Sequence, residues 1–192
     1  MKINNPGAVL TATVILGAVL LSPIIVAAQT AGKAGVNPKL TVRVDGLTCP
    51  FCAYSLEKRI KEIPAVQHSI INLEEGIVEL IPSKGRHIEI DEVKEAVIAG
   101  GFTPRGVHVA LAGKLIDWNG VQALSINSTN QAGKKVTTIY VLKENRQLKR
   151  LMASAKASGQ EVFITGQASE APPLGHTDRH PYLVDIKTFQ VL

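Results

Sequence analysis

The chain has 192 residues, 45% of them hydrophobic and 19% charged, with a net charge of +5 and only two cysteines. Its lysines and arginines are scattered and aromatic residues make up 4%, so no basic stripe interleaved with rings marks a nucleic-acid surface. No nucleophile elbow, phosphate loop, zinc-protease motif or carboxylate dyad occurs, which leaves catalysis without sequence support.

At the start, Lys2 precedes an apolar run from Ala8 to Val26, and Val26-Ala27-Ala28 offers small residues for cleavage before Gln29. Residues 1–28 read as an export signal, placing the mature protein in the periplasm or otherwise outside the cytoplasm. The run approaches the roughly 20 residues of a membrane span, so an uncleaved anchor is the alternative. Pro23 and the cleavage-like ending argue against it. Residues 29–38 are rich in Ala, Gly, Asn and Pro and read as a flexible linker.

Leu40, Val42 and Val44 then alternate with Thr41, Arg43 and Asp45, the period of a half-buried strand. After Gly46-Leu47-Thr48, an amphipathic helix follows: Ala53, Leu56, Ile60 and Ile63 recur at helical spacing, charged residues fill the other face, and Pro64 stops it. Ser69, Ile71 and Leu73 alternate again, Glu74-Glu75-Gly76 turns the chain, and Ile77 to Ile81 returns as a strand. Ile90, Val93 and Val97 predict a second helix with Asp91 and Glu92 in its first turn and Gly100-Gly101 at its end. With a strand from Thr103 to Val109, the order through residue 108 is β-α-β-β-α-β, a ferredoxin-like arrangement.

The remaining 84 residues, 109–192, have another order. Strands are expected over 109–116, 120–126, 135–142, 161–168 and 182–191, with a helix from Asn145 to Gly159 whose core face carries Leu148, Leu151, Met152 and Ala155. Three strands, a helix and two strands is the order of a small five-stranded OB barrel. The fold class is therefore α+β, in two domains: 39–108, followed by an OB-like domain over 109–192.

The chemistry concentrates at Cys49-Pro50-Phe51-Cys52, where the first strand becomes the first helix. Two thiolates three positions apart converge on one ion, and thiolate sulfur selects soft metals. The backbone N–H groups and positive dipole at a helix start stabilise a thiolate at Cys52, while Cys49 stays on the loop before it.

Gly46-Leu47-Thr48-Cys49-Pro50-Phe51-Cys52, with Ile63-Pro64-Ala65-Val66, Asn72-Leu73 and Gly101-Phe102, resembles the heavy-metal-associated domain family. That family includes copper chaperones, amino-terminal modules of metal-transporting P-type ATPases and the periplasmic mercury-binding protein. The resemblance covers 39–108. It implies that Cys49 and Cys52 are metal ligands for Hg(II) or Cu(I), with Zn(II) as a further candidate. It also implies ligand exchange with a membrane metal transporter or a thiol metal carrier. Leu47 stands where the family commonly has Met, Phe102 where it commonly has Tyr, and Pro50 between the cysteines is less usual. By element order the second half is similar to OB-type proteins of the bacterial envelope. One of those is a copper chaperone with a His/Met/Met/Trp site, which this chain cannot assemble: besides Met1 it has only Met152.

Two other readings of the cysteines stay open. A Cys-x-x-Cys pair also serves thiol–disulfide oxidoreductases, and an oxidising compartment also favours a plain structural bridge in a non-catalytic envelope adaptor. His176, Asp178 and His180 cluster among Pro172, Pro173, Gly175 and Pro181. That composition suits a surface loop better than the helix that gives His-x-x-x-His its metal geometry. His68, His87 and His108 stand alone in sequence, and Trp118 reads as a barrel or interface residue. No small-molecule substrate or nucleic acid is implied, and membrane contact arises only through a partner or an uncleaved signal. Because the motif and its support lie within 39–108, residues 36–110 are expected to fold alone and bind metal.

Overall fold

The computed structural model describes residues 36–154, 159–171 and 181–192. The export signal, most of the linker, the end of the third helix and the His176–His180 cluster lie outside the described residues. Among those described, no helix is long and apolar enough to cross a membrane.

β1 (Lys39–Asp45) buries Leu40, Val42 and Val44 on one face, as its alternation predicts. α1 (Pro50–Lys61) packs Leu56 and Ile60 onto that face, and β2 (Val66–Asn72) follows. The turn into β3 (Ile77–Pro82) needs Gly76: its φ is +61°, and a Cβ there would stand 2.9 Å from the Val44 carbonyl oxygen. α2 (Ile90–Ala99) buries Ile90, Val93 and Val97 beside α1. β4 (Thr103–Trp118) completes an antiparallel sheet in the order β2-β3-β1-β4. This is the expected ferredoxin-like unit.

The second half is the OB-like barrel. β5 (Val121–Thr129), β6 (Lys135–Leu142), α3 (Arg146–Ser154), β7 (Glu161–Glu170) and β8 (Tyr182–Val191) follow in turn. β4 pairs with β5, β5 with β6, β6 in parallel with β8, β8 with β7, and β7 back with β4. The ring closes. α3 starts at Asn145, whose side-chain oxygen accepts from the Leu148 N–H at 2.8 Å, and it buries Leu148 and Leu151.

Two expectations are corrected. The strands expected over 103–109 and 109–116 are one 16-residue strand, β4. Its residues 107–110 pair with β1 on one side and β7 on the other, so the backbone hydrogen bonds of both halves hold it extended through the expected boundary. Met152 is 40% exposed, because among the described residues of the expected stripe Leu148 and Leu151 are the ones buried. The helix is described as far as Ser154, and residues 155–158 of the expected span lie outside the described residues. The buried side chains of both halves form a single cluster running from Leu40 to Ile186.

Candidate metal site

The path from β1 into α1 is built around one glycine and one buried leucine. Gly46 takes a φ of +88°, a left-handed conformation that favours glycine. Leu47, 2% exposed, then anchors the loop in the core, so an apolar side chain without sulfur fills the position. Thr48 donates its N–H to the Gly46 carbonyl at 3.0 Å. The loop is short and tied at its base.

Cys49 is the N-cap of α1 in extended conformation, with φ −134° and ψ 151°. Its Sγ accepts from the Cys52 N–H at 3.2 Å, and its carbonyl accepts from the Ala53 N–H at 3.1 Å. The sulfur thus takes the place a serine or aspartate oxygen has in most caps. Pro50 occupies the first helical position, where its missing N–H costs nothing. Cys52 follows within the first turn, where no acidic residue counters the positive end of the helix. The cysteine Cα atoms are 5.2 Å apart and the sulfurs are joined as a disulfide. Reduction frees two sulfurs side by side at a helix N-terminus.

Two rings of α1 face solvent. Phe51 is 85% exposed and Tyr54 is 69% exposed. Both stand on α1 in the sequence segment that carries the cysteines. Beneath the loop lies the half-buried Phe102 ring: Cβ atoms placed on Gly46 and Gly100 would stand 3.6 Å and 3.0 Å from it. Phe102 therefore braces the Gly46 turn against the end of α2 with no hydroxyl to bond the sulfurs.

Other candidates separate from this site. His68 and His108 are exposed on β2 and β4. His87 lies at the junction of the halves, its Nε2 2.7 Å from the Tyr140 hydroxyl. Trp118 ends β4 and lines a cavity on the barrel side. Among the described residues no three His, Cys, Asp or Glu side chains converge as a metal site. The junction was missed by sequence reading. His87, Glu89, Tyr140 and Tyr182 carry no local signal, because each meets its partner only through the sheet topology.

Residues 41–103 match the heavy-metal-associated domain, the family that the cysteine motif resembles. Among solved structures, the CopZ metallochaperone is 22% identical over 35% of this chain and 98% of its own, with a TM-score of 0.33. A copper-binding domain from HMA7, a P-type ATPase, is also 22% identical, over 35% of this chain and 90% of its own, with a TM-score of 0.33. A small single-stranded DNA-binding protein from Streptomyces coelicolor is 13% identical over 45% of this chain and 93% of its own, with a TM-score of 0.31. No match was found among curated proteins.

Proposed function

We propose that this protein captures one soft metal ion, Cu(I) or Hg(II), between Cys49 and Cys52 outside the cytoplasmic membrane and passes it on by thiolate exchange. The receiver is a membrane metal transporter or another thiol carrier. The observation that carries this reading is the cysteine pair at the start of α1, within the segment that matches the heavy-metal-associated domain. Two sulfurs suit a soft ion of low coordination number, whereas a structural Zn(II) site takes four ligands. Two ligands on a loop and a helix end also leave room for an incoming thiolate, which makes transfer a sequence of exchanges rather than a dissociation.

The disulfide gives the site a gate. Joined sulfurs have no thiolate to donate, so a reductant must supply two electrons to give two thiolates before the ion enters, and any protons those sulfurs take up leave again as it binds. The same bond favours the second reading, a thiol–disulfide oxidoreductase. Native mass spectrometry of the reduced protein with Cu(I), Hg(II) and Zn(II), under thiol competition, separates the two. The expected result is one soft ion per chain, lost in Cys49→Ser, in Cys52→Ser and on oxidation. Binding that survives the double substitution overturns the assignment, and rapid turnover of a dithiol substrate favours the oxidoreductase.

A further inference from the structure

A second concave site lies at the other end of α2 from the metal loop. Phe102 ties the carboxyl end of this ten-residue helix to Gly46, and a helix of that length spans about 15 Å. At its amino end a cavity of about 270 Å³ opens between Glu89 and Asp91, Trp118 at the end of β4, Thr138 and Tyr140 of β6, and Tyr182 of β8. The gap has a topological cause. β6 and β8 pair only over Tyr140–Leu142 and Tyr182–Val184, so the first five residues of β6 have no β8 neighbour.

The lining has a definite chemistry. Among the described residues that line it, the only charged side chains are the carboxylates of Glu89 and Asp91, in a protein whose net charge is +5. Three of its walls are aromatic: Trp118, Tyr140 and Tyr182. Aromatic faces attract cations through the ring quadrupole, and one ring here already does so, since the Lys94 ammonium stands 5.7 Å from the centre of Tyr182. The carboxylates are held in place beforehand. Thr138 Oγ1 donates to Glu89 Oε1 at 2.7 Å, and the Tyr182 hydroxyl donates to Asp91 Oδ1. Burial, with the Asp91 hydrogen bond next, pushes the Tyr182 hydroxyl well above its ordinary range, so it remains a neutral donor. Each carboxylate so held keeps lone pairs for a further donor.

We propose that this cavity binds an organic cation, an ammonium or guanidinium group borne by a free amine or by a lysine or arginine side chain. The volume agrees with one such group on a short stem, because pockets for drug-sized ligands start near 300 Å³. A guanidinium bonds carboxylates while its plane stacks on an aromatic face, a combination that a metal ion or a neutral amide lacks. Since Glu89 caps α2 and Asp91 lies in its first turn, while the rings come from β4, β6 and β8, the bound cation bridges both halves of the molecule.

The test uses the one tryptophan of the chain, which lines the cavity. Intrinsic fluorescence of the purified protein is titrated with L-argininamide, spermidine, the tripeptide Ala-Arg-Ala, and L-citrullinamide as a neutral isostere. The expected result is a saturable change with the cations, at least tenfold weaker or absent with citrullinamide, and weakened by salt. Saturation by argininamide or spermidine but not by the tripeptide identifies a free amine; preference for the tripeptide identifies a partner's side chain. Glu89→Gln and Asp91→Asn should each weaken binding at least fivefold, with melting curves confirming that the variants fold. Val136→Phe narrows the cavity from an exposed position and should weaken binding without disturbing the hydrogen-bonded groups. Cys49→Ser should leave it unchanged. Absence of saturation with every cation, or an equal response to citrullinamide, overturns the proposal.

Discussion

His87 sits where the two halves meet, its Nε2 2.7 Å from the Tyr140 hydroxyl and its ring edge-on to the tyrosine, with centroids 5.5 Å apart and planes at 81°. Burial holds its pKa below the ordinary 6.5, against the opposing pull of Glu89. The unfolded chain therefore takes up this proton first as the pH falls, so stability is full above 6.5 and declines below it. Urea midpoints between pH 5 and 8 should show that decline, and His87→Gln should flatten it; a slope unchanged by the substitution would assign the dependence elsewhere. Tyr140→Phe leaves the half-buried imidazole without its partner and should cost about 1 kcal/mol. The contrast with the cysteines is instructive. The placement of Cys49 and Cys52 at a helix start was legible because it is set by adjacent residues, whereas His87 looked isolated because its partner is 53 positions away.

Strand pairing carries most of the architecture, and β7 shows how closely the strands approach. Gly166 faces β8 with so little room that a Cβ would stand 2.5 Å from the Asp185 carbonyl oxygen and 2.9 Å from Val184 Cγ1. The obstacle is backbone and cannot swing away, and the β7–β8 register shifts between Thr165 and Gly166. Gly166→Ala should thus destabilise the protein by about 1–3 kcal/mol. Gly106→Ala, whose Cβ would meet only Gln167 Nε2 at 3.6 Å, should change stability little. Equal urea midpoints for the two variants would show that β8 gives way. The element order was readable from alternation because each strand has a buried face. The full length of β4 was not, because Ala110 is buried along with Val109 and Leu111, and Gly113 breaks the period where a Cβ would come 2.7 Å from the Ser125 carbonyl oxygen. The Asn119-Gly120 turn was a signal available and unused: both residues have positive φ, 53° and 81°, as a tight two-residue hairpin requires.

At the scale of the whole molecule, β4 belongs to both halves, and this changes what a fragment of residues 36–110 should do. Such a fragment retains Cys49, Cys52 and the α1, α2 and β1 side chains that position them. It loses the β7 partner of residues 107–110, together with the bonds from Tyr140 to His87, Thr138 to Glu89, Tyr182 to Asp91 and Lys94 to Glu170. The exposed ion pair contributes little, but the two partly buried hydrogen bonds, Tyr140 to His87 and Thr138 to the Glu89 carboxylate, contribute about 1 kcal/mol or more each. The fragment should therefore be at least about 2 kcal/mol less stable than the intact protein by urea unfolding. Its bare β4 edge should also promote association, visible by sedimentation, because an unpaired strand offers its backbone to any second strand. Metal affinity is a different quantity. The cysteines lie where the β1–α1 loop enters α1, a junction that β4 and the barrel support only through Phe102 and the sheet, so Cu(I) affinity measured against a chromophoric chelator should match that of the intact protein wherever the fragment is folded. A folded fragment that bound at least tenfold more weakly would assign the barrel a direct part in holding the ion.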